Sequence, residues 1–256
     1  KLIKNLPIGL HGDFYSHQLT FFMINNNDFK NIKILFNRCN LNLNKVVLKS
    51  FIDGIKILNK FKKKTFINIK IDKNETQLIF FYDSAFLFFQ KFNFGSDIII
   101  KDISKVCSLD ISNVKNIISE TNFEFTDKNI YLDKKYFDKN NFRKISLSHI
   151  KEISSARIEE MTNILFNRNR NLTYLKDNDI SVYLDFEDKK TIFKLKNIFE
   201  NHFKECNLDF NFSFEEDSST SIKILGDLLS KGWTKEAIPV INKKKSWISR
   251  IFSGLF

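Results

Sequence analysis

The sequence predicts an α/β fold with a mixed β-sheet flanked by helices. Three observations carry this expectation. Thr65 to Ile71 alternates Phe66, Ile67, Ile69 and Ile71 with polar residues, close to the two-residue period of a half-buried strand. Two further apolar runs, Gln77 to Tyr82 and Ala85 to Phe94, follow after polar turns at Asp72–Asn74 and Asp83–Ser84, which makes an antiparallel meander. Beyond Gly95 helical and strand patterns alternate, so later strands join the sheet in parallel through crossover helices.

In chain order, Asp13 to Ile24 ends in an apolar run and reads as a strand. Asp28 is expected to cap a helix with Phe29, Ile32, Leu35 and Phe36 on one face. Val46 to Leu48 reads as a short strand ahead of the meander. Ser96 or Asp97 opens the next helix, and Leu109 to Asn141 is polar with short helical patches, as an inserted subdomain would be. A long helix is expected over Ser146 to Phe166. Strand Ile180 to Phe186, helix Lys189 to Phe203, strand Leu208 to Phe214 and helix Ser218 to Ser230 complete the order. Three meandering strands, then helix, strand, helix, strand, helix, is the order of a ribonuclease-H-like or actin-like domain. The expected division is the end of a small α/β subdomain at 1–60, the actin-like domain at 61–237 with its insert at 109–141, a linker at 238–242, and a C-terminal amphipathic helix at 243–256.

A chain of 256 residues, 43% of them hydrophobic, can bury a sizeable core. It starts at Lys1 without a secretory segment, and an upstream N-terminal portion is expected. The net charge of +11 would suit nucleic acid or an anionic membrane. Yet the chain is rich in Lys, Asn, Ile and Phe, with only 7 Gly and 2 Pro, which is the slant of an AT-rich genome. Its basic residues are also spread among acids, so no nucleic-acid partner is expected. Cys39, Cys107 and Cys206 are odd in number and far apart, as reduced cytoplasmic thiols are. His11, His17, His149 and His202 lack ligand spacing, and no metal is expected. No two glycines are adjacent and there is no Walker or Rossmann pattern, so a nucleotide-dependent enzyme is disfavoured.

The C-terminal segment Lys243 to Phe256 is distinctive. On a helix, Trp247, Ile248, Ile251, Phe252 and Leu255 form one apolar face, with Arg250 away from it and Phe256 at its end. Lys243, Lys244 and Lys245 stand at its start. A bilayer span needs about 20 apolar residues. This segment instead suits a helix lying in the headgroup plane, its lysines toward anionic lipid. The competing fate is docking on the protein's own core.

Several segments carry a family resemblance. Lys4-Asn5-Leu6-Pro7-Ile8-Gly9-Leu10-His11-Gly12 is similar to a "K-N/D-P-[IV]-G-L-S-G" turn. Asn31-Ile32, Arg38-Cys39 and Leu41 resemble "N-I-x-x-x-x-x-R-C-G-L". Phe92-Asn93-Phe94-Gly95-Ser96-Asp97 resembles "I-P-x-G-G-D", and Asp102-Ile103-Ser104 the following "D-I-A". Ile153 to Met161 resembles "I-I-x-P-R-x-E-E-L", and the tail "W-I-x-R-[IL]-x-x-x-[LF]". In order and spacing these resemble the bacterial cell-division protein FtsA family, actin-like membrane tethers for the tubulin-like FtsZ. The resemblance implies an actin-like fold, an FtsZ-like filament protein and anionic inner-membrane lipids as partners, and self-association. It also implies a place on the cytoplasmic face of the inner membrane at the division site. It puts Arg157 and Glu160 in part of the filament-binding subdomain.

The sequence departs from that family where the family holds ATP. Its second phosphate loop, "D-I-G-G-G-T-T-D", falls on Lys70-Ile71-Asp72-Lys73-Asn74-Glu75-Thr76-Gln77, where the apolar Ile71 agrees and, of the other positions, only Thr76. Its "T-G-G-x-x-x-x-P-G" adenosine loop falls on the glycine-free Asp185-Phe186-Glu187-Asp188-Lys189. Lys70, Asp72, Lys73, Asn74, Thr76, Gly95 and Asp97 therefore mark a degenerate nucleotide site. The expectation is a non-enzymatic membrane adaptor without bound ATP or Mg. One alternative is an ATP-binding actin-like protein in which Lys70 or Lys73 contacts phosphate and Asp97 holds a metal through water. The other is a nucleic-acid-binding protein on a ribonuclease-H-like scaffold, which would need carboxylates clustered at strand ends.

Overall fold

The computed structural model describes residues 13–14, 19–121, 123, 130–137, 142–175, 180–206, 209–212 and 218–233. The meander forms as the alternation predicts: β1 (Phe66–Ile71), β2 (Thr76–Tyr82) and β3 (Ala85–Phe92). β1 and β2 pair antiparallel from Phe66↔Phe81 to Ile71↔Thr76. β2 and β3 do the same, with a register shift between Phe80 and Phe81. β4 (Ser181–Phe186) joins parallel to β1, and β5 (Asp209–Phe212) parallel to β4. The order β3-β2-β1-β4-β5 is a mixed sheet with its parallel strands reached by crossovers.

Helices cover both faces. On one side Ile67, Ile69, Ile71, Leu78, Phe80, Val182 and Leu184 pack against α3 (Asp97–Cys107), α4 (Ile111–Glu120), α5 (Leu147–Thr162) and α6 (Lys196–Lys204). On the other, Phe66, Ile79, Phe81 and Tyr183 meet Ile57 of α2 (Lys49–Phe61), and α2 packs in turn on α7 (Ser218–Lys231). Each fully buried side chain of this size contributes about 1.5–3 kcal/mol. Gly54 lets α2 lie directly on Phe81: a Cβ there would stand 2.0 Å from the ring. The expected boundary near Lys60 thus falls at the end of a helix that packs on the sheet.

Some local expectations are corrected. Asn25, not Asp28, caps α1 (Asn26–Arg38): its side chain accepts from the Asn27 amide at 2.9 Å. Asp28 lies in the first helical turn, where the helix dipole favours an acid. Residues 19–24 and 46–48 form no strand; what 19–24 brings to the edge strand β3 is a side chain, the Thr20 hydroxyl donating to the Leu87 carbonyl at 3.1 Å. β3 stops at Phe92, because the Phe94 carbonyl is taken by the Thr76 hydroxyl. α5 gives way to a π-helical turn at Asn163–Asn167. A 3₁₀ turn, Ile192–Leu195, precedes α6, so that helix starts later than the expected Lys189. Within the expected insert, α4 buries Val114, Ile117 and Ile118 in the main core. The linker at 238–242 and the helix at 243–256 lie outside the described residues.

Candidate functional site

The two loops marked by the resemblance meet at one end of the sheet. Lys70 is the lateral neighbour of Asp185 across the parallel β1–β4 pair, and the Glu187 amide donates to the Ile71 carbonyl at 3.1 Å. This brings 70–77 and 185–189 side by side on the edge where β1 and β4 end.

The β1–β2 turn closes on itself and then on α3. The Asp72 amide donates to the Glu75 carbonyl at 2.9 Å. The Asp72 carbonyl accepts from the Ser96 amide and the Lys73 carbonyl from the Asp97 amide, both at 2.9 Å. Gly95 makes this approach possible: a Cβ there would stand 2.3 Å from the Asp72 oxygen and 2.6 Å from the Lys73 carbonyl. Amides opening a helix attract anions, through their unpaired N–H groups and the helix dipole. Here the amides of Ser96 and Asp97 are spent on the chain's own carbonyls.

Most of the other side chains at the turn have partners of their own. Thr76, fully buried, donates its hydroxyl to the Phe94 carbonyl at 2.8 Å, so the polar residue that agrees with the phosphate-loop pattern holds strand to strand. Lys70 Nζ lies 3.9 Å from Asp72 Oδ1. Burial pushes the Asp72 carboxyl above the ordinary carboxylate range, Lys70 pulling against it. Glu75 accepts from Lys91 and from Gln77, and these hydrogen bonds hold its carboxyl below the usual range. Lys73 and Asn74 face solvent. In the second loop Asp188 Oδ1 accepts from the amides of Lys190 (3.1 Å) and Thr191 (2.8 Å), a side-chain turn where the family's pattern has glycines.

Arg157 braces two helices: it donates to Asp102 of α3 and to Glu160 one turn along α5. Its side chain is 25% exposed and that of Glu160 55% exposed, so Glu160 is the more accessible of the two. The pairing of Arg157 with Asp102 links positions far apart in sequence, and no local spacing signals it. A second polar cluster carries no sequence signal either: Tyr136 and Lys135 both donate to Glu120, tying two parts of the expected insert together at the end of α4. Lys243, Lys244, Lys245, Trp247, Ile248, Arg250, Ile251, Phe252, Leu255 and Phe256, the expected membrane contacts, lie outside the described residues. Among the described residues no helix is long and apolar enough to cross a membrane.

No known family profile and no curated protein sequence matches the chain. Solved structures do. MreB5 of Spiroplasma citri bound to AMPPNP aligns with a TM-score of 0.53 at 9% identity, over 80% of this chain and 65% of that one. The ADP-bound form of the same protein gives 0.52 at 11% identity over the same shares. The archaeal actin homologue Ta0583 gives 0.45 at 11%, over 74% of this chain and 57% of that one. The chain thus spans less than two thirds of the length of these proteins. The fold is that of the actin-like proteins, in agreement with the strand order; identities this low speak to the fold alone.

Proposed function

We propose that this chain is a peripheral membrane adaptor of bacterial cell division, similar to FtsA, that works without ATP hydrolysis. It tethers an FtsZ-like filament to anionic lipid on the cytoplasmic face of the inner membrane at the division site, and self-association multiplies the tether. One observation carries the non-catalytic part: the β1–β2 turn offers carbonyls, not free amides, at the start of α3. A triphosphate needs converging N–H donors and glycines that let its oxygens approach. The side-chain-bearing turn, the engaged amides of Ser96 and Asp97, and the Asp188 turn do not fit that ligand.

The tether part rests on the tail sequence. Each bulky residue gains only part of its full burial energy in an interface, so one copy binds reversibly and a polymer binds firmly. Glu160, exposed beside the Arg157 brace, is the side chain of that helix assigned to the filament.

Three measurements on the full chain test the reading. Calorimetry with Mg-ATP is expected to give no heat of binding. The protein is expected to sediment with anionic vesicles, and to recruit FtsZ-like filaments to them. Micromolar Mg-ATP binding overturns the non-catalytic part. Failure to pellet with anionic vesicles at physiological salt overturns the tether. Vesicle binding without filament recruitment overturns the adaptor role.

A further inference from the structure

An apolar groove of about 340 Å³ opens between residues 45–48, the start of β3 and the end of α7. Phe22, Leu48, Phe51, Phe86, Leu228 and Trp233 wall it. Phe22 meets Phe86 at a centroid distance of 5.0 Å, and Phe51 meets Trp233 at 5.6 Å. Thr20 and Lys45 are its polar side chains, and the Thr20 hydroxyl is used on the Leu87 carbonyl at 3.1 Å. Phe22 remains 53% and Leu48 40% exposed. A patch of this kind, apolar and open to water, marks a docking surface.

Three features of the chain select its occupant. Trp233, a wall of the groove, is the last described residue, and the sequence continues directly from it to the tail. That tail carries a matching apolar stripe, Trp247, Ile248, Ile251, Phe252 and Leu255. The intervening stretch 234–245 reaches roughly 40 Å when extended, at about 3.3 Å per residue, which is ample for the tail to return. A groove with so few polar side chains also suits a helix, which satisfies its own backbone.

We infer that Lys243 to Phe256 docks its apolar stripe in this groove when no membrane is present, so that groove and lipid compete for one helix face. The groove contact is intramolecular and draws on an effective concentration on the order of millimolar. A latch closed in about nine molecules of ten weakens apparent lipid affinity roughly tenfold. The competition rests on the tether reading; the docking does not.

The test uses the full chain beside its Trp247→Phe variant, so that the difference spectrum reports Trp247, one of the 2 tryptophans in the sequence, and the groove wall Trp233 stays in place. Without lipid, Trp247 is expected to emit at short wavelength and to resist acrylamide quenching. Leu48→Glu and Phe22→Asp, each at an exposed position, are expected to shift that emission to the red. They should also lower the half-saturating concentration of phosphatidylglycerol vesicles about 5–10-fold. Circular dichroism checks the fold of each variant. Solvent-like Trp247 emission in the parent overturns the docking, as does emission that neither groove substitution moves. Loss of the blue shift on dilution overturns it too, placing the tail in a second copy. Groove-sensitive emission with no vesicle binding in any variant overturns the competition and the tether reading, while the docking stands.

Discussion

Gly95→Ala puts the closed turn to a quantitative test. Gly95 is not at positive φ, so the cost of a methyl group there is one of space. The new Cβ would stand 2.3 Å from the Asp72 carbonyl oxygen and 2.6 Å from the carbonyl carbon and oxygen of Lys73. All three are backbone atoms, so the strain cannot be relieved by a side chain swinging aside. Overpacking of this kind costs about 1–3 kcal/mol. If the turn moves away instead, the Ser96–Asp72 and Asp97–Lys73 hydrogen bonds lengthen, at about 0.5–1.5 kcal/mol each. The two routes are alternatives, so the expected loss is about 1–3 kcal/mol, a sizeable share of the ~5–15 kcal/mol that holds a typical domain. At roughly 2–4 °C per kcal/mol for a chain of this size, Tm falls by about 2–12 °C. Gly226→Ala is the control: no atom lies within 4 Å of its Cβ, and it sits within α7. That change should raise stability by about 0.8–1 kcal/mol through helix propensity. Urea unfolding followed by circular dichroism measures both. A Gly95→Ala protein within 0.5 kcal/mol of the parent, on the order of ordinary surface substitutions, would refute the closed-turn geometry.

Gly54→Ala should cost about 1–3 kcal/mol in the same assay, because the Phe81 ring it strikes is itself stacked on Phe66 at 5.0 Å. For Asp72 the sign is opposite to that of a salt-bridged acid. Its raised carboxyl pKa means the folded state binds the proton more tightly, so stability falls as pH rises above about 4 and through that pKa. Asp72→Asn should therefore stabilise the protein at pH 7 and lose its advantage near pH 3; a variant less stable than the parent at pH 7 would show that the Lys70 attraction outweighs burial. In iodoacetamide labelling followed by mass spectrometry, exposed Cys39 should react well before Cys107 and Cys206, whose thiols burial pushes up; early modification of Cys107 would contradict its place in the core.

The sheet was legible because its strands carry a pattern set by burial. Phe66 to Ile71 and Ala85 to Phe92 show it on their own, and Asp72–Asn74 and Asp83–Ser84 punctuate it. The segment ahead of the sheet was not. Leu19 to Ile24 is as apolar as a strand and reaches the edge strand β3, but it meets Leu87 through the Thr20 hydroxyl, and sequence does not say which groups two neighbours will exchange. The groove escaped for the same reason: Phe22, Phe51, Phe86 and Trp233 come from four separate stretches that only the fold assembles. The candidate site was half legible. Missing glycines marked 70–77 as a departure from the phosphate-loop pattern, but gave no sign that its carbonyls accept from the amides of Ser96 and Asp97 at the start of α3, which is a matter of backbone orientation.

The same backbone orientation limits how an actin-like frame could switch. A bound ligand shifts a conformational equilibrium only through its different affinity for the two states. On the proposed non-catalytic reading, with the amides of Ser96 and Asp97 bonded to the chain's own carbonyls, a nucleotide would supply little of that difference. Control on that reading would come from another surface. The groove at Phe22 and Leu48, inferred above to take the tail stripe, is the candidate. Because the stripe cannot face groove and lipid together, membrane would release the groove as it captures the tail, and whatever occupies the freed groove would hold the tail on the membrane. By linkage the two effects are equal in free energy. A groove-binding peptide identified for this chain should thus raise vesicle affinity by the same factor by which vesicles raise peptide affinity, and two titrations measure the pair. A peptide that fills the groove and leaves vesicle affinity unchanged would mean that groove and tail are not in competition.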